Sequence, residues 1–135
     1  MLKNVEVNKE GGNASEKSAS VSEMPINLNA LEQQLGNIDS MAIEMLSMFS
    51  EMTQPLMEDL LTEAKNGDIK KIRDIAHSLK GGARSAGAMK MGDIACNVQE
   101  AAENNQFDIK LIEKVGEEFE RVKEHISELE KEYQR

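Results

Sequence analysis

The chain has 135 residues and a formal net charge of −9, with no tryptophan, one tyrosine, three phenylalanines and nine methionines. This length suits one hydrophobic core, and a core of leucine, isoleucine, alanine and methionine favours helices over sheets. The excess of acidic residues argues against nucleic-acid binding. No apolar run approaches the roughly 18 residues of a membrane span. Cys96 is the single cysteine, which excludes an internal disulfide and a metal site made of paired cysteines. We therefore expect one all-α, cytoplasmic domain that binds neither nucleic acid nor membrane.

Two parts of the chain differ in composition. Residues 1–25 mix Lys, Glu, Asn, Gly and Ser with isolated valines, which predicts a flexible polar tail or a linker to another domain. Residues 26–135 carry helical apolar spacing and are predicted to form the folded domain. Its first element is a short helix from Ile26 that ends at Gly36.

The second predicted helix is the longest early element. Asp39 or Ser40 can cap it, and Asn66-Gly67 can end it. Pro55 lies inside it and predicts a kink or a break, because the ring removes one backbone hydrogen bond and crowds the preceding turn. Its wide apolar face is edged by methionines, for which we favour core packing over a surface for a partner: Met41, Met45, Met48 and Met52.

The third predicted helix begins after a capping Asp68 and continues to Gly87 or Ala88. At about 100° per residue, one arc of this helix is apolar and consists of Ile69, Ile72, Ile75, Ala76, Leu79, Ala83 and Ala86. The opposite arc is polar or bare and consists of Arg73, His77, Lys80, Gly81 and Arg84. His77 is therefore expected to point at water.

Two further amphipathic helices follow. One ends at Asn104-Asn105 and carries Gln99 at the edge of its apolar arc, where periodicity alone suggests a surface residue. The other begins at Asp108 and has a seam in heptad spacing, Ile112, Val115, Phe119, Val122, Ile126, Leu129 and Tyr133. His125 lies beside this seam among charged residues, and we predict a solvated surface position for it.

Short connections between the four long helices predict that neighbours run antiparallel. The expected fold is an antiparallel up-down four-helix bundle with a short additional N-terminal helix. We prefer a monomer to a dimeric coiled coil, because the seam has only three heptads and the other helices also need a partner.

The chemistry of the chain centres on His77. There is no Gly-rich phosphate loop after a strand, no HExxH, no serine elbow and no cysteine-histidine pair. An exposed neutral imidazole can be phosphorylated on nitrogen, and the basic residues on its face suit a phosphoryl group. Adjacent glycines in a helix cost roughly 1 kcal/mol each relative to alanine. Close approach of another molecule would explain Gly81 and Gly82.

The thirteen residues from Ala76 to Ala88 strongly resemble the signature of histidine-containing phosphotransfer (HPt) domains. That signature has a histidine, a lysine three positions later, a glycine four positions later, and Gly-Ala about ten positions later. His77, Lys80, Gly81 and Gly87-Ala88 fill these positions. In element order the resemblance extends over roughly residues 28–132.

The resemblance implies a phosphocarrier in a multistep two-component phosphorelay. His77 would accept a phosphoryl group on Nε2 from the aspartyl phosphate of one receiver domain and pass it to an aspartate of another. By likeness, Lys80 stabilises the phosphoryl group, Gly81 gives the receiver room and Gln99 orients the histidine. Arg84 would add positive potential, although the family does not demand arginine there.

The same resemblance implies the partners, which are receiver domains and a hybrid sensor histidine kinase. The receiver is expected to supply Mg²⁺, so the chain needs no metal or cofactor of its own, and nothing in it could bind ATP for autokinase activity. One alternative is a non-phosphorylated helical adaptor that uses the methionine edge and the basic face only to bind a signalling partner. Another keeps the chemistry and makes the chain a domain of a larger kinase.

Overall fold

The structure is a computed structural model that describes residues 24–133. The predicted tail lies almost entirely outside these residues. Within them the architecture is all-helical, with a short helix before four long ones: α1 (Leu28–Leu35), α2 (Ser40–Asn66), α3 (Ile69–Ser85), α4 (Met89–Glu103) and α5 (Ile109–Tyr133).

Helices α2 to α5 form the predicted up-down bundle. Each packs against its neighbours in the order α2, α3, α4, α5, and α5 returns to pack on α2, which closes the ring. The centre is filled by buried aliphatic side chains and by Phe119, which is 1% exposed. Between residues 24 and 133, no helix has both the length and the apolar character that crossing a membrane requires.

The helix ends follow the predicted caps. The side chain of Asp39 accepts a hydrogen bond from the Ala42 N–H at 3.0 Å, and that of Asp68 accepts one from the Lys71 N–H at 3.2 Å. Such bonds satisfy amide groups that have no partner inside the helix. Of the kink or break predicted at Pro55, the break does not occur, because α2 is continuous over Ser40–Asn66. Pro55 is exposed, so water can solvate the carbonyl that the ring leaves without a donor.

Helix α1 is held against the bundle by the loop between α3 and α4. The backbone N–H of Asn27 donates to the carbonyl of Gly87 at 2.8 Å, and Leu31 is buried. Gly87 has a φ of +80°, and a Cβ there would lie 3.0 Å from the Asn27 carbonyl oxygen and 3.2 Å from the Leu31 Cβ. A side chain at this position would therefore strain the turn and push α1 away.

The predicted surface position of His125 is wrong, because the residue is buried. It is only 6% exposed, and its Nδ1 accepts a hydrogen bond from the backbone N–H of Ile26 at 3.0 Å. The segment before α1 covers the ring, and helical periodicity within α5 could not reveal this cover. Because Nδ1 must keep its lone pair to accept the bond, the buried ring is neutral. It contributes to the packing of Ile26 and not to a surface.

The burial of His125 predicts a pH-dependent stability. Desolvation lowers the pKa of His125 from its usual 6.5, while the carboxylates of Glu128 and Glu132 oppose that shift. The unfolded chain therefore binds a proton at higher pH than the folded chain does. We expect the free energy of unfolding contributed by this site to be complete above about pH 6.5 and to fall as the pH drops below it.

Urea unfolding of the wild type and of His125→Gln across this range checks the expectation. The amide oxygen of glutamine can accept the same Ile26 N–H but does not titrate. The variant should lose less stability than the wild type between neutral and mildly acidic pH. Equal losses in the two proteins would show that His125 does not carry the effect.

Candidate functional site

His77 lies in the middle of α3, on the side that faces away from the core. The opposite side of this helix is buried through Ile72, Ala76, Leu79 and Ala83. These positions recur at spacings of three and four, which fixes the rotation of the helix on the bundle. His77 is exposed, as the sequence analysis predicted.

A side chain from α4 reaches the imidazole. Gln99 Oε1 lies 3.4 Å from His77 Nδ1, and the Gln99 amide Nε2 donates to Glu103 Oε2 at 3.0 Å. Gln99 is half-buried, so it is less mobile than a free surface glutamine. The structure thus places Gln99 beside His77. It also adds Glu103, which the sequence analysis did not single out; the only local signal is the spacing of four between Gln99 and Glu103 on one helix.

The cations near His77 differ in what they contact. Arg73 Nη2 lies 3.1 Å from an Asp74 carboxylate oxygen, and Arg84 Nη2 lies 3.2 Å from one of Asp93. Lys80 is half-buried and forms no ion pair with any acidic residue in the described range 24–133. Of the three, Lys80 has the charge that is least compensated by a neighbouring carboxylate.

Arg84 is tied to α4. A Cβ built on Gly92 would lie 2.7 Å from Arg84 Cγ, so Gly92 leaves the space through which the arginine side chain passes toward Asp93. The contact joins α3 to α4 near the loop between them. Arg84 therefore has a structural use in addition to the positive potential predicted for it.

The two adjacent glycines have different surroundings. A Cβ at Gly81 would meet nothing within 4 Å, whereas one at Gly82 would lie 3.7 Å from Phe49 Cε1 on α2. Packing inside the bundle therefore gives no reason for a glycine at position 81. The helix surface one turn after His77 is bare and open to an approaching molecule.

An apolar groove borders the histidine. Helices α1, α2 and α3 enclose a volume of about 410 Å³, lined mainly by Leu, Met, Phe and Ala side chains and by Ser78. Ser78 also lines the shallow hollow that contains His77, Gln99 and Glu103. The groove and the hollow are therefore adjacent, with Ser78 between them.

The four methionines at the edge of the apolar face of α2 are exposed, so the preference for core packing of these residues is wrong. Met41, Met45, Met48 and Met52 are 70%, 49%, 57% and 69% exposed. Helix α1 has 8 residues against 27 in α2, so it covers only part of this side. Met45, Met48 and Met52 line the apolar groove, and Met41 does not.

The face of the bundle that carries His77 offers few groups for chemistry. Among residues 24–133, no three His, Cys, Asp or Glu side chains come together as a group that could hold a metal ion. The reactive group on the face is the imidazole of His77, which has a half-buried amide on one side and a lysine one turn along the helix. An exposed imidazole in such surroundings can act as a nucleophile toward phosphorus.

Comparison with known proteins identifies a family for the chain. The family model for the Hpt domain matches residues 44–132, about two thirds of the chain, and the match includes α3, α4 and nearly all of α5. No curated protein and no solved structure matches the chain. Hpt domains are phosphocarriers in phosphorelays, and they carry the phosphoryl group on a histidine. The chain belongs to the Hpt domain family and has a histidine phosphotransfer role of that general kind.

Proposed function

We propose that the chain carries a phosphoryl group on Nε2 of His77 between the aspartates of two receiver domains in a multistep phosphorelay. The observation that carries the proposal is the exposed ring of His77 beside bare helix at Gly81, where a Cβ would meet nothing within 4 Å. A receiver must bring its aspartyl phosphate to the ring nitrogen in line with the bond that breaks. Bare backbone one turn away leaves room for that approach.

The transfer step balances without an additional base. The Nε2 lone pair attacks phosphorus, the bond from phosphorus to the receiver's aspartate oxygen breaks, and its electron pair leaves with the carboxylate. No proton has to leave Nε2 when the ring carries its single proton on Nδ1, the tautomer that an accepting Gln99 Oε1 favours. The positive charge that develops on the ring is shared with Nδ1, which lies 3.4 Å from Gln99 Oε1, an oxygen that can accept a hydrogen bond from a proton on Nδ1. Transfer to the second receiver is the reverse of this step.

Lys80 and Arg84 are proposed to act on the charge of the phosphoryl group. Lys80 lies one turn after His77 and has no carboxylate partner among residues 24–133, so its ammonium group can approach the phosphoryl oxygens. Arg84 is engaged with Asp93 and contributes at longer range. We assign Mg²⁺ and its acidic ligands to the receiver, and we assign this chain no cofactor. Its partners in this scheme are a hybrid sensor histidine kinase and one or more response regulators, each of which it meets as a monomer.

The apolar groove is proposed as the surface on which the receiver docks. It adjoins the histidine hollow through Ser78, so a protein that delivers phosphate to His77 would also cover the groove. Exposed methionines adapt their shape to different partners, which suits a carrier that must bind at least two receivers.

A charge in this groove should weaken docking. We expect Met48→Glu to reduce receiver affinity by about tenfold or more, because an unpaired carboxylate would be buried in an apolar interface. Met48 is 57% exposed in the free chain, so the helical content and the melting temperature should change little. Titration calorimetry with a receiver domain measures the affinity.

The matched control for this variant is Met41→Glu. Met41 is on the same helix and 70% exposed, but it lies outside the groove. It receives the same charge change and should bind the receiver nearly as well as the wild type. An equal loss of receiver affinity in both variants would indicate a general electrostatic effect. Unfolding of Met48→Glu would show that Met48 is needed for core packing.

Incubation with a receiver domain that carries a radiolabelled aspartyl phosphate tests the proposal as a whole. We expect the label to appear on this chain as an acid-labile, alkali-stable phosphoramidate and then to pass to a second receiver. The adaptor alternative predicts binding to the receiver without any label on this chain. Absence of label on the folded wild-type chain would reject the phosphocarrier proposal.

A further inference from the structure

Glu103 is the last residue of α4, and its carboxylate contacts the residue that contacts the histidine. Gln99 Nε2 donates to Glu103 Oε2 at 3.0 Å, and Gln99 Oε1 lies 3.4 Å from His77 Nδ1. The three side chains line one hollow on the surface. They form a chain of contacts that begins at a fixed negative charge and ends at the imidazole.

The carboxylate decides which end of the Gln99 amide faces the histidine. An ionised carboxylate only accepts hydrogen bonds, so it takes the NH₂ end of the amide. The carbonyl end, Oε1, must then point the other way, toward His77. Without Glu103 the amide could rotate by half a turn and present its NH₂ group to the ring instead.

The orientation of the amide in turn decides which ring nitrogen has the lone pair. Oε1 only accepts, so Nδ1 has to be the protonated nitrogen of the neutral imidazole. The lone pair is then on Nε2, the atom that attacks phosphorus in the proposed transfer. A rotated amide would donate to Nδ1 and favour the tautomer in which Nε2 is protonated and not nucleophilic.

A purely stabilising role does not explain the position of this carboxylate. The C-terminal end of a helix carries partial negative charge, so an acidic side chain in the last turn of α4 is slightly unfavourable. Glu103 is also exposed, and its hydrogen bond to Gln99 is worth little in solvent. Its removal should leave the stability of the bundle unchanged or slightly raised.

We propose that Glu103 is a positioning residue for phosphotransfer, which acts through Gln99 to hold His77 in the tautomer with its lone pair on Nε2. This inference rests on the proposed function for its effect on rate, but not for its effect on the tautomer of the free protein.

The test compares three substitutions on α4 in the full chain. Glu103→Leu removes the acceptor and keeps a good helix former, while Glu103→Gln keeps an oxygen that can accept the Gln99 NH₂ group. Glu100→Leu is the matched control, since it removes one carboxylate from the same helix without touching Gln99. The readouts are ¹⁵N spectra of the His77 ring, the rate of phosphorylation by a phosphorylated receiver, and the rate with phosphoramidate, a small donor that needs no docking surface.

We expect the wild-type spectrum to show His77 protonated on Nδ1, and the Glu103→Leu spectrum to show a shift toward the other tautomer. Both rates should fall several-fold, by at most about tenfold, in Glu103→Leu, because the lost hydrogen bond is exposed to solvent, and stability should not fall. Glu100→Leu should stay near wild type in rate and in tautomer. Glu103→Gln should lie between wild type and Glu103→Leu, because its amide can accept from the Gln99 NH₂ group but can also donate to a rotated Gln99 amide.

The outcomes separate this inference from the proposed function. Suppose that the wild type accepts phosphoryl groups. If Glu103→Leu then keeps the wild-type tautomer, or reacts at least as fast as the wild type, the role of Glu103 is rejected and the phosphocarrier proposal is retained. If the wild type accepts none, the carrier fails, and the ring spectra alone decide whether Glu103 sets the tautomer.

Discussion

We expect the His77→Gln variant to take no phosphoryl group from a phosphorylated receiver domain, whereas the wild-type chain becomes labelled. Glutamine is polar and of similar length, and the side chain at this position is exposed, so the fold has no need of the imidazole. The variant lacks the ring nitrogen that forms the bond to phosphorus. Autoradiography after gel separation measures the label, and circular dichroism shows that the helices are intact.

The matched control is the only other histidine of the chain. His125 is 6% exposed, and its Nδ1 accepts the Ile26 N–H, so a receiver cannot reach it in the folded protein. His125→Gln should therefore accept the phosphoryl group at a rate close to that of the wild type at neutral pH. Label that persists in His77→Gln and disappears in His125→Gln would mean that the site has been assigned to the wrong histidine.

The second large effect is expected at Gly81. A glutamine there would place a side chain on the bare surface one turn after His77, where it would obstruct the receiver. We expect the transfer rate to fall by about a hundredfold, the size of loss that a small misplacement of reacting groups can cause. Because a Cβ at Gly81 meets nothing within 4 Å, the substitution should also stabilise α3 by up to about 1 kcal/mol.

Gly82→Ala serves as the control for the helix effect. A Cβ at Gly82 would make ordinary contact with Phe49 at 3.7 Å, so alanine should be accepted and should stabilise the helix by a similar amount. Its methyl group lies about 100° around the helix from position 81, and transfer should fall far less than in Gly81→Gln. An unchanged rate in Gly81→Gln would show that the glycine has another purpose.

Local signals were sufficient to predict the helices of the bundle. The caps at Asp39 and Asp68 and the glycines at 36 and 67 mark the ends of elements through contacts within a few residues. The exposure of His77 followed from one period of 3.6 residues, since the apolar residues of α3 define which side is buried. These predictions needed no knowledge of how the helices pack together.

The wrong predictions about His125 and the methionines concern contacts between segments that are distant in sequence. His125 lies beside the heptad seam, but its cover comes from Ile26, 99 residues earlier. The methionine edge of α2 resembles core in its periodicity and is exposed because α1 is too short to cover it. Periodicity shows which side of a helix is apolar, but not whether another element covers it.

In the candidate site, too, the features set within one helix were predictable and those set by packing between helices were not. His77, Lys80 and Gly81 lie on one helix, so their shared face could be read from spacing. The placement of Gln99 beside the ring depends on the packing of α3 on α4, and before the structure it was implied only by the family resemblance. The engagement of Arg84 with Asp93 and the contact between Gln99 and Glu103 depend on side-chain positions that sequence spacing does not determine.

The most direct test of the account is the identification of the phosphorylated atom. After phosphorylation by a receiver domain, ³¹P and ¹⁵N spectra of the uniformly ¹⁵N-labelled chain show which nitrogen of which histidine is bonded to phosphorus. We predict a single phosphohistidine with coupling between phosphorus and Nε2 of His77. Coupling to Nδ1 of His77, a bond to His125, or no phosphohistidine on the folded chain would contradict the account.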